Sequence, residues 1–258
     1  MAVRKNKALA KLRAGGTVFG PALAYASPDL AERVAHMGFD FVWLDWQHGE
    51  NTETTLNNAI ARYLAVDTVA LPRVKYNEPG TINRVLDMGA TGVIVPLVNT
   101  PEEAAAAVRA AYYPPKGQRS AGGLRLALLA DGDEDYWFNA NPEIMLVVMV
   151  ENEAAIGRVR EIMRVPGIDV VLIGPGDLMI DVKTRGHGPD RHEALCLEVA
   201  KASKETGVAA GYVCGTEEMA DKRIAQGFRF INYGLDHAIL MAGMAGVAAH
   251  ANKHRKQS

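Results

Sequence analysis

Two carboxylates stand where long apolar runs of the chain end. Glu151 closes the run IMLVVMVE, and Asp177 follows the run IDVVLI in the turn 174–177. Continuous apolar runs of this length are typical of strands buried on both faces of a parallel sheet. Carboxylate oxygens are the ligands that hard divalent cations such as Mg²⁺ and Mn²⁺ prefer. The pattern allows a shared metal site, but Glu151 could equally cap the next helix and Asp177 could stabilise the turn.

Further polar side chains follow other predicted strands. Asp45 ends FDFVWLD, His48 lies in the loop DWQHGEN, and Arg73 ends VALPR, while Asp87 lies in the next helix. Each has a simpler explanation: a solvated loop histidine, an arginine at a strand end, or aspartates in backbone contacts and local ion pairs. Successive strand ends thus carry two candidate metal ligands, a candidate base and a cation. This combination is a more specific signal than any one of its members.

These positions depend on a regular alternation of strands and helices. The chain has 258 residues, close to the roughly 250 typical of a (β/α)₈ barrel. Apolar periodicity and cap residues predict strands at 17–25, 39–46, 69–74, 91–98, 144–151, 168–178 with the turn, 207–214 and 228–234. They predict helices at 27–38, 53–65, 78–90, 101–115, 152–167, 189–206 and 216–227. Since functional groups collect at the carboxyl ends of barrel strands, we expect the polar side chains to meet at one mouth.

The remaining segments fit a single barrel domain over residues 1–258. Residues 1–15 predict a short helix, 6–13, covering the barrel floor. Residues 116–143, rich in Gly and Asp, predict an ordered excursion near the barrel mouth. The segment 181–190 is, after 116–143, a second predicted break in the alternation of strands and helices. A helix rich in Met and Ala follows Gly234, and residues 253–258 predict a frayed basic tail.

Composition limits the partners. A net charge of −2 gives no electrostatic reason to expect nucleic acid or acidic membranes as partners. The only cysteines, Cys196 and Cys214, are too few for a disulfide framework and fit a reducing compartment. No apolar stretch is long enough to span a bilayer, and residues 1–16 lack the apolar core of a secretory signal. We therefore expect a cytoplasmic protein without nucleic-acid or membrane partners.

Five segments carry a family resemblance. FDFVWLDWQHGE, INRVLDMGATGVIVPLV, YYPPKGQRS, MVENEAA and VPGIDVVLIGPGDL resemble the HpcH/HpaI aldolase family, over roughly residues 16–240. The resemblance implies an α/β fold, the (β/α)₈ TIM barrel of the phosphoenolpyruvate/pyruvate type. It implies a homo-oligomer, a hexamer built as a dimer of trimers, with the carboxyl-terminal helix exchanged between subunits. It also implies class II aldol chemistry, in which Mg²⁺, Mn²⁺ or Co²⁺ assists the reversible cleavage of a 4-hydroxy-2-oxo acid to pyruvate, or a close 2-oxo acid, and an aldehyde.

The resemblance also implies roles for individual residues. Glu151 and Asp177 match the metal ligands, and His48 matches the catalytic base. Asp87 matches the acid that raises the basicity of that histidine, and Arg73 matches the group that stabilises the enolate. The backbone amides of Gly176 and Asp177 match the positions that hold the pyruvate carboxylate, and Asp45 is a further catalytic candidate at the same mouth.

Three positions depart from the family pattern. Met149 replaces the usual Gln, Gln47 replaces a Glu beside the base, and Met179 replaces a Ser. Met149 shares a strand face with Glu151, so we expect it to face the substrate, where a thioether cannot donate a hydrogen bond. Two other functions stay open: related metal-enolate chemistry, such as oxaloacetate decarboxylation or a coenzyme A thioester lyase, and a catalytically silent barrel that binds a 2-oxo acid.

Overall fold

The chain forms a closed barrel of parallel strands. The computed structural model describes residues 3–130 and 135–255. Within them, eight strands pair in sequence order, and β8 returns to pair with β1. The strands are β1 Val18–Leu23, β2 Phe41–Asp45, β3 Val69–Arg73, β4 Gly92–Val95, β5 Met145–Val150, β6 Val170–Ile173, β7 Ala209–Cys214 and β8 Phe230–Leu235. The predicted (β/α)₈ barrel is confirmed.

The barrel strands bury both of their faces. Side chains such as Trp43, Leu71 and Leu172 belong to one apolar cluster inside the barrel. Their strand neighbours, such as Leu44 and Val171, belong to a second cluster beneath the helices. Because successive residues of a strand face opposite sides, two apolar layers require unbroken apolar runs. Polar side chains are thereby displaced to the strand ends.

Helices connect the strands. They are α1 Lys7–Arg13, α2 Pro28–Ala35, α3 Glu53–Arg62, α4 Pro79–Asp87, α5 Pro101–Ala111, α6 Leu126–Ala130, α7 Tyr136–Asn139, α8 Glu153–Gly157, α9 Val159–Met163, α10 Pro175–Thr184, α11 Pro189–Thr206, α12 Glu217–Ala225 and α13 Asp236–Arg255. Side-chain caps begin many of them, at Ser27, Thr52, Thr100, Asn152 and Thr216. Among the described residues, none of these helices is long and apolar enough to cross a membrane.

Helix α1 closes the floor of the barrel, the end where the strands begin. The side chain of Asn6 caps α1 by accepting a hydrogen bond from the Leu9 amide, and its Nδ2 donates to the Thr91 carbonyl, both at 2.8 Å. Leu9 and Leu12 join the apolar cluster inside the barrel. A helix thus lies where residues 6–13 predicted one. Residues 1 and 2 lie outside the described residues.

Several predicted element boundaries were wrong. The predicted helix 152–167 is two helices, because Arg158 leaves helical geometry at φ −107° and ψ 10°. The predicted helix 101–115 stops at Ala111, and Tyr112 is extended. The turn 174–177 belongs to the beginning of α10, which also includes the first residues of the predicted break 181–190. Propensity alone does not place such boundaries.

The excursion 116–143 packs at the floor, so its predicted position near the mouth is wrong for the part that the structure describes. The Leu129 carbonyl accepts from the Arg4 amide at 3.0 Å, and Glu143 accepts from the Asn6 amide at 2.9 Å. Leu126 and Leu129 pack with Val3. This segment joins α5 to β5, and a helix-to-strand connection lies at the barrel end opposite the strand-to-helix loops. Residues 131–134 lie outside the described residues.

Helix α13 is exposed along its length. None of its residues is buried, and its apolar side chains Ile239, Leu240, Met241, Met244 and Val247 are 51% to 64% exposed. The helix continues through Arg255, so the predicted frayed tail is wrong for residues 253–255, and residues 256–258 lie outside the described range. An apolar helix of this kind needs a covering surface.

Candidate active site

Asp45 and Arg73 form a buried pair at the mouth of the barrel. They end β2 and β3 and are direct register partners. Arg73 donates from Nε to Asp45 Oδ1 at 2.9 Å and from Nη2 to Oδ2 at 2.7 Å. Its guanidinium carbon lies 4.6 Å from the centre of the Trp43 ring. A bidentate pair above an aromatic ring fixes the guanidinium in one orientation.

Asp45 also shapes the loop that carries His48. Its Oδ1 accepts from the backbone amides of Gln47 at 3.1 Å and His48 at 3.4 Å. Asn51 closes the loop by donating from Nδ2 to the Asp45 carbonyl at 2.8 Å. The His48 residue is exposed at the mouth. The loop therefore presents an imidazole to solvent beside a buried carboxylate and guanidinium.

Glu151 is the buried carboxylate of the predicted metal pair. It follows β5, is only 4% exposed, and accepts the Leu97 amide on Oε2 at 2.9 Å. A Cβ at residue 174 would lie 2.3 Å from Glu151 Oε1, so a larger residue there would displace the Glu151 side chain. Burial raises the pKa of Glu151, and the neighbouring Asp177 carboxylate raises it further, while Arg73 opposes the rise. The structure thus brings Glu151, Asp177 and Arg73 together.

This carboxylate pair fits a hard divalent cation. Neither Glu151 nor Asp177 has a salt-bridge partner among the described residues, and the Asp177 carboxylate raises the pKa of Glu151. Within residues 3–130 and 135–255, no group of three or more His, Cys, Asp or Glu side chains is arranged around a metal position. Two protein carboxylates, with water and substrate oxygens as the other ligands, are the coordination that Mg²⁺ commonly takes.

The beginning of α10 offers backbone donors to an anion. Gly174 is the N-cap residue and provides no side-chain cap, and Pro175 has no amide hydrogen. The amides of Gly176 and Asp177 belong to the first helical turn, where no intrahelical acceptor exists. Gly176 and Asp177 are exposed at the mouth. Free amides at a helix beginning bind carboxylates and phosphates.

Met149 faces the site, as its strand position predicted. Its Sδ lies 3.9 Å from Arg73 Nη1, and the residue is 1% exposed. A thioether is a weak acceptor. Arg73 therefore has two strong bonds to Asp45 and a third nitrogen, Nη1, that faces only a weak acceptor in this contact.

Asp87 does not belong to this constellation within one chain. It ends α4, and its Oδ1 accepts from Arg119 Nη2 at 2.7 Å. Arg119 is 3% exposed and lies with its guanidinium carbon 4.5 Å from the Tyr113 ring centre. A helix that follows a barrel strand ends at the floor, away from the strand-end loops. Within a single chain, Asp87 and His48 are therefore at opposite ends.

The sequence did not predict the roles of two residues of the site. Leu97 adopts φ 55°, uncommon for a non-glycine residue, and this conformation accompanies its amide contact with Glu151. Nothing about a leucine predicts that role. Asn51, which closes the His48 loop, was visible as a polar residue near the candidate base, but its contact is with the backbone of Asp45.

Fold and site together define a class of protein. It is a (β/α)₈-barrel enzyme whose mouth combines two carboxylates, a fixed guanidinium and free helix amides, a set suited to a small anionic substrate. The chain belongs to the HpcH/HpaI aldolase/citrate lyase family, whose model matches residues 21–242.

Individual relatives agree with the family model. The chain is 33% identical over 245 residues to a hydroxypyruvate/pyruvate aldolase of Delftia acidovorans, covering 93% of this chain and 90% of the relative. It is 35% identical over 239 residues to a 4-hydroxy-2-oxovalerate aldolase of Novosphingobium aromaticivorans, covering 90% and 88%. The crystal structure of an HpcH/HpaI aldolase/citrate lyase family protein from Burkholderia cenocepacia superposes with a TM-score of 0.87 at 28% identity, covering 96% of this chain and 100% of that one.

Proposed function

We propose that this protein is a divalent-metal-dependent class II aldolase that reversibly cleaves a 4-hydroxy-2-oxo acid to pyruvate, or a close 2-oxo acid, and an aldehyde. The observation that carries the proposal is the buried Glu151 carboxylate beside Asp177, with the guanidinium of Arg73 at the same mouth. The aldolase names of relatives that align over most of the chain support the reaction type.

Substrate binding begins at α10. The amides of Gly176 and Asp177 hold the substrate carboxylate, which orients the 2-oxo acid at the mouth. Glu151 and Asp177 would hold a divalent cation such as Mg²⁺, Mn²⁺ or Co²⁺, which would supply Lewis-acid stabilisation of the 2-oxo oxygen. Arg73 stabilises the negative charge that develops on the same 2-oxo oxygen. Its bidentate pair with Asp45 prevents the guanidinium from turning away.

Proton transfer is the role of His48. In the cleavage direction, the imidazole takes the proton of the 4-hydroxyl group as the C3–C4 bond breaks and the aldehyde leaves. The electron pair of that bond passes into the enolate of the 2-oxo acid, where Arg73 stabilises the negative oxygen. The protonated imidazole of His48 then gives its proton to C3, which forms the methyl group of pyruvate and restores the base. Asp45 holds the loop amide of His48 in place throughout.

Asp87 can support a histidine only through a second chain. In its own chain it pairs with Arg119 at the floor. We propose that the protein is a homo-oligomer, a hexamer with α13 exchanged between subunits, in which Asp87 of one subunit raises the basicity of His48 in a neighbour. The exposed apolar residues of α13 support the assembly. The low cysteine count supports a cytoplasmic location.

Proton–deuterium exchange at the methyl group of pyruvate tests the proposal without knowledge of the aldehyde. Metal-stripped and metal-restored protein is incubated with pyruvate in heavy water, and loss of the methyl proton signal is followed by NMR. We expect exchange only with divalent metal, and none in His48→Ala. The matched control is His36→Ala, because His36 is also exposed but follows α2 at the floor.

Three outcomes would contradict the proposed roles. Full exchange in folded His48→Ala would remove His48 as the base, and exchange in metal-free protein would remove the metal. Absence of exchange in folded, metal-loaded protein would favour another 2-oxo acid or a silent barrel, with Met149 as the first residue to replace by Gln.

A further inference from the structure

The carboxylate that begins α13 binds a segment far away in sequence. Asp236 Oδ1 accepts from the Ala24 amide at 3.0 Å, and Oδ2 accepts from the Tyr25 amide at 2.9 Å. Ala24 and Tyr25 follow β1 at the mouth, so this contact joins the last strand-to-helix connection to the first. Both carboxylate oxygens thus bind another element, although Oδ1 also accepts from the His237 amide within α13 at 2.7 Å.

The same segment supports the loop that carries His48. The Ala24 carbonyl accepts from the Glu50 amide at 2.8 Å. At residue 49, a Cβ would lie 2.4 Å from the Asp45 carbonyl oxygen and 2.7 Å from the Ala24 carbonyl oxygen. The loop 45–51 therefore lies against Ala24 with no room for even a methyl group, so a shift of Ala24 must move the loop.

We propose that Asp236 is a positioning residue for His48. It holds Ala24 by its amide, Ala24 holds Glu50 by its carbonyl, and the loop carries the imidazole. This inference rests on the proposed function, in which His48 is the base. None of the residues of α13 is buried within one chain. The Asp236 hydrogen bonds therefore connect an otherwise exposed helix to the segment after β1 at the mouth.

The alternative is that Asp236 only stabilises the beginning of α13. A helix-capping role would change the stability of α13 and leave the loop 45–51 unaffected. The two roles predict that different segments lose amide protection when the carboxylate is removed. A measurement that resolves individual segments therefore separates them.

The test compares Asp236→Asn and Asp236→Ala with the wild type by hydrogen–deuterium exchange of backbone amides, read by mass spectrometry on full-length, metal-loaded protein. The matched control is Asp221→Asn, an exposed aspartate on α12. We expect amides of segment 45–51 to exchange at least about tenfold faster in Asp236→Ala, the loss typical of a hydrogen bond to a charged group. Asp236→Asn retains one oxygen acceptor and should be intermediate.

Kinetics give the second readout. With saturating pyruvate, the methyl exchange rate constant of Asp236→Asn should fall by about tenfold, while KM for pyruvate and the affinity for Mn²⁺ stay within about twofold of the wild type. The reason is that the carboxylate-binding amides and the metal ligands lie directly after β5 and on α10, which Asp236 does not contact in these hydrogen bonds.

Unchanged protection of segment 45–51 in both variants overturns the inference, as does faster exchange confined to α13 or spread evenly over the barrel. The failure of the proposed function is distinguishable from these results. If wild-type protein does not exchange pyruvate protons, the aldolase proposal fails, while the amide exchange of segment 45–51 still decides whether Asp236 positions the loop.

Discussion

Two arginine–aspartate pairs, each with a buried guanidinium, stand at opposite ends of the barrel. At the mouth, Arg73 binds Asp45 through two nitrogens, its third nitrogen faces Met149, and its charge lowers the pKa of Glu151 against the effect of burial. At the floor, Arg119 reaches Asp87 through one nitrogen and lies against Tyr113. The residue types are the same, but the surroundings differ.

Within one chain, the surroundings of the mouth pair suit a role in chemistry, and those of the floor pair suit a role in packing. The mouth pair adjoins two carboxylates and free helix amides, so its positive charge is available to a substrate. The floor pair holds the excursion against the end of α4, because Arg119 belongs to the excursion and Asp87 to the helix. An ion pair is evidence of function only when a charge nearby is left for a ligand.

The variant Glu151→Gln gives the strongest test of the functional role of the mouth. A neutral amide removes one metal ligand and leaves the volume unchanged, so we expect the metal-dependent exchange of pyruvate protons to fall more than about 1000-fold. Mn²⁺ binding, measured by calorimetry, should weaken in parallel. The exposed Glu217→Gln on α12 is the control. Wild-type activity in Glu151→Gln would show that the mouth holds no metal of functional importance.

Arg73→Lys tests whether the mouth pair does more than pack. A lysine keeps the charge but loses the bidentate geometry. We expect the rate constant for pyruvate exchange to fall by about 100- to 1000-fold, as for loss of one oxyanion donor, with circular dichroism unchanged. If activity falls only in proportion to a loss of folded protein, Arg73 is structural.

Arg119→Met tests the floor pair in the opposite sense. Methionine replaces the apolar stem but leaves Asp87 without its cation. We expect a loss of about 3 kcal/mol in the free energy of unfolding, near the lower end for a broken buried pair because Asp87 remains partly exposed. Chemical denaturation measures it. A variant as stable as the wild type would contradict the packing role.

Subunit mixing tests whether Asp87 of one subunit also supports His48 at the barrel mouth of a neighbouring subunit. Asp87→Asn alone should lower the exchange rate by about 10- to 100-fold, and His48→Ala should abolish it. Mixed oligomers of the two variants contain sites with an intact His48 from one chain and an intact Asp87 from another. We expect activity above the sum of the separate variants. No recovery, with mixing verified by native mass spectrometry, would confine each Asp87 to its own floor.

The smallest effect concerns the stability of metal-free protein. The pKa of Glu151 is raised by burial and by Asp177. An acid with a raised folded-state pKa destabilises the fold above that pKa, and the cost disappears as pH falls through it. Metal-free Glu151→Gln should therefore melt higher than metal-free wild type at neutral pH, and the difference should shrink on acidification. Equal melting temperatures at neutral pH would argue against a strained carboxylate pair.

The sequence by itself determined the alternation of strands and helices and the identity of most mouth residues. Unbroken apolar runs fix buried parallel strands, caps such as Ser27 and Thr100 fix helix beginnings, and polar residues remain where strands end. Asp45, Arg73, Glu151 and Met149 were predictable for that reason. These signals act over a few residues, so a single sequence is enough to read them.

Only the tertiary structure decided which distant groups meet. Asp87 and Arg119 are 32 positions apart, and Asp236 and Ala24 are 212 apart. Neither contact has a local pattern, because both are set by the closure of the barrel and by which end each connection occupies. The prediction from composition placed the excursion 116–143 at the mouth, whereas its described residues lie at the floor. Chain direction through the barrel, rather than composition, decides that position.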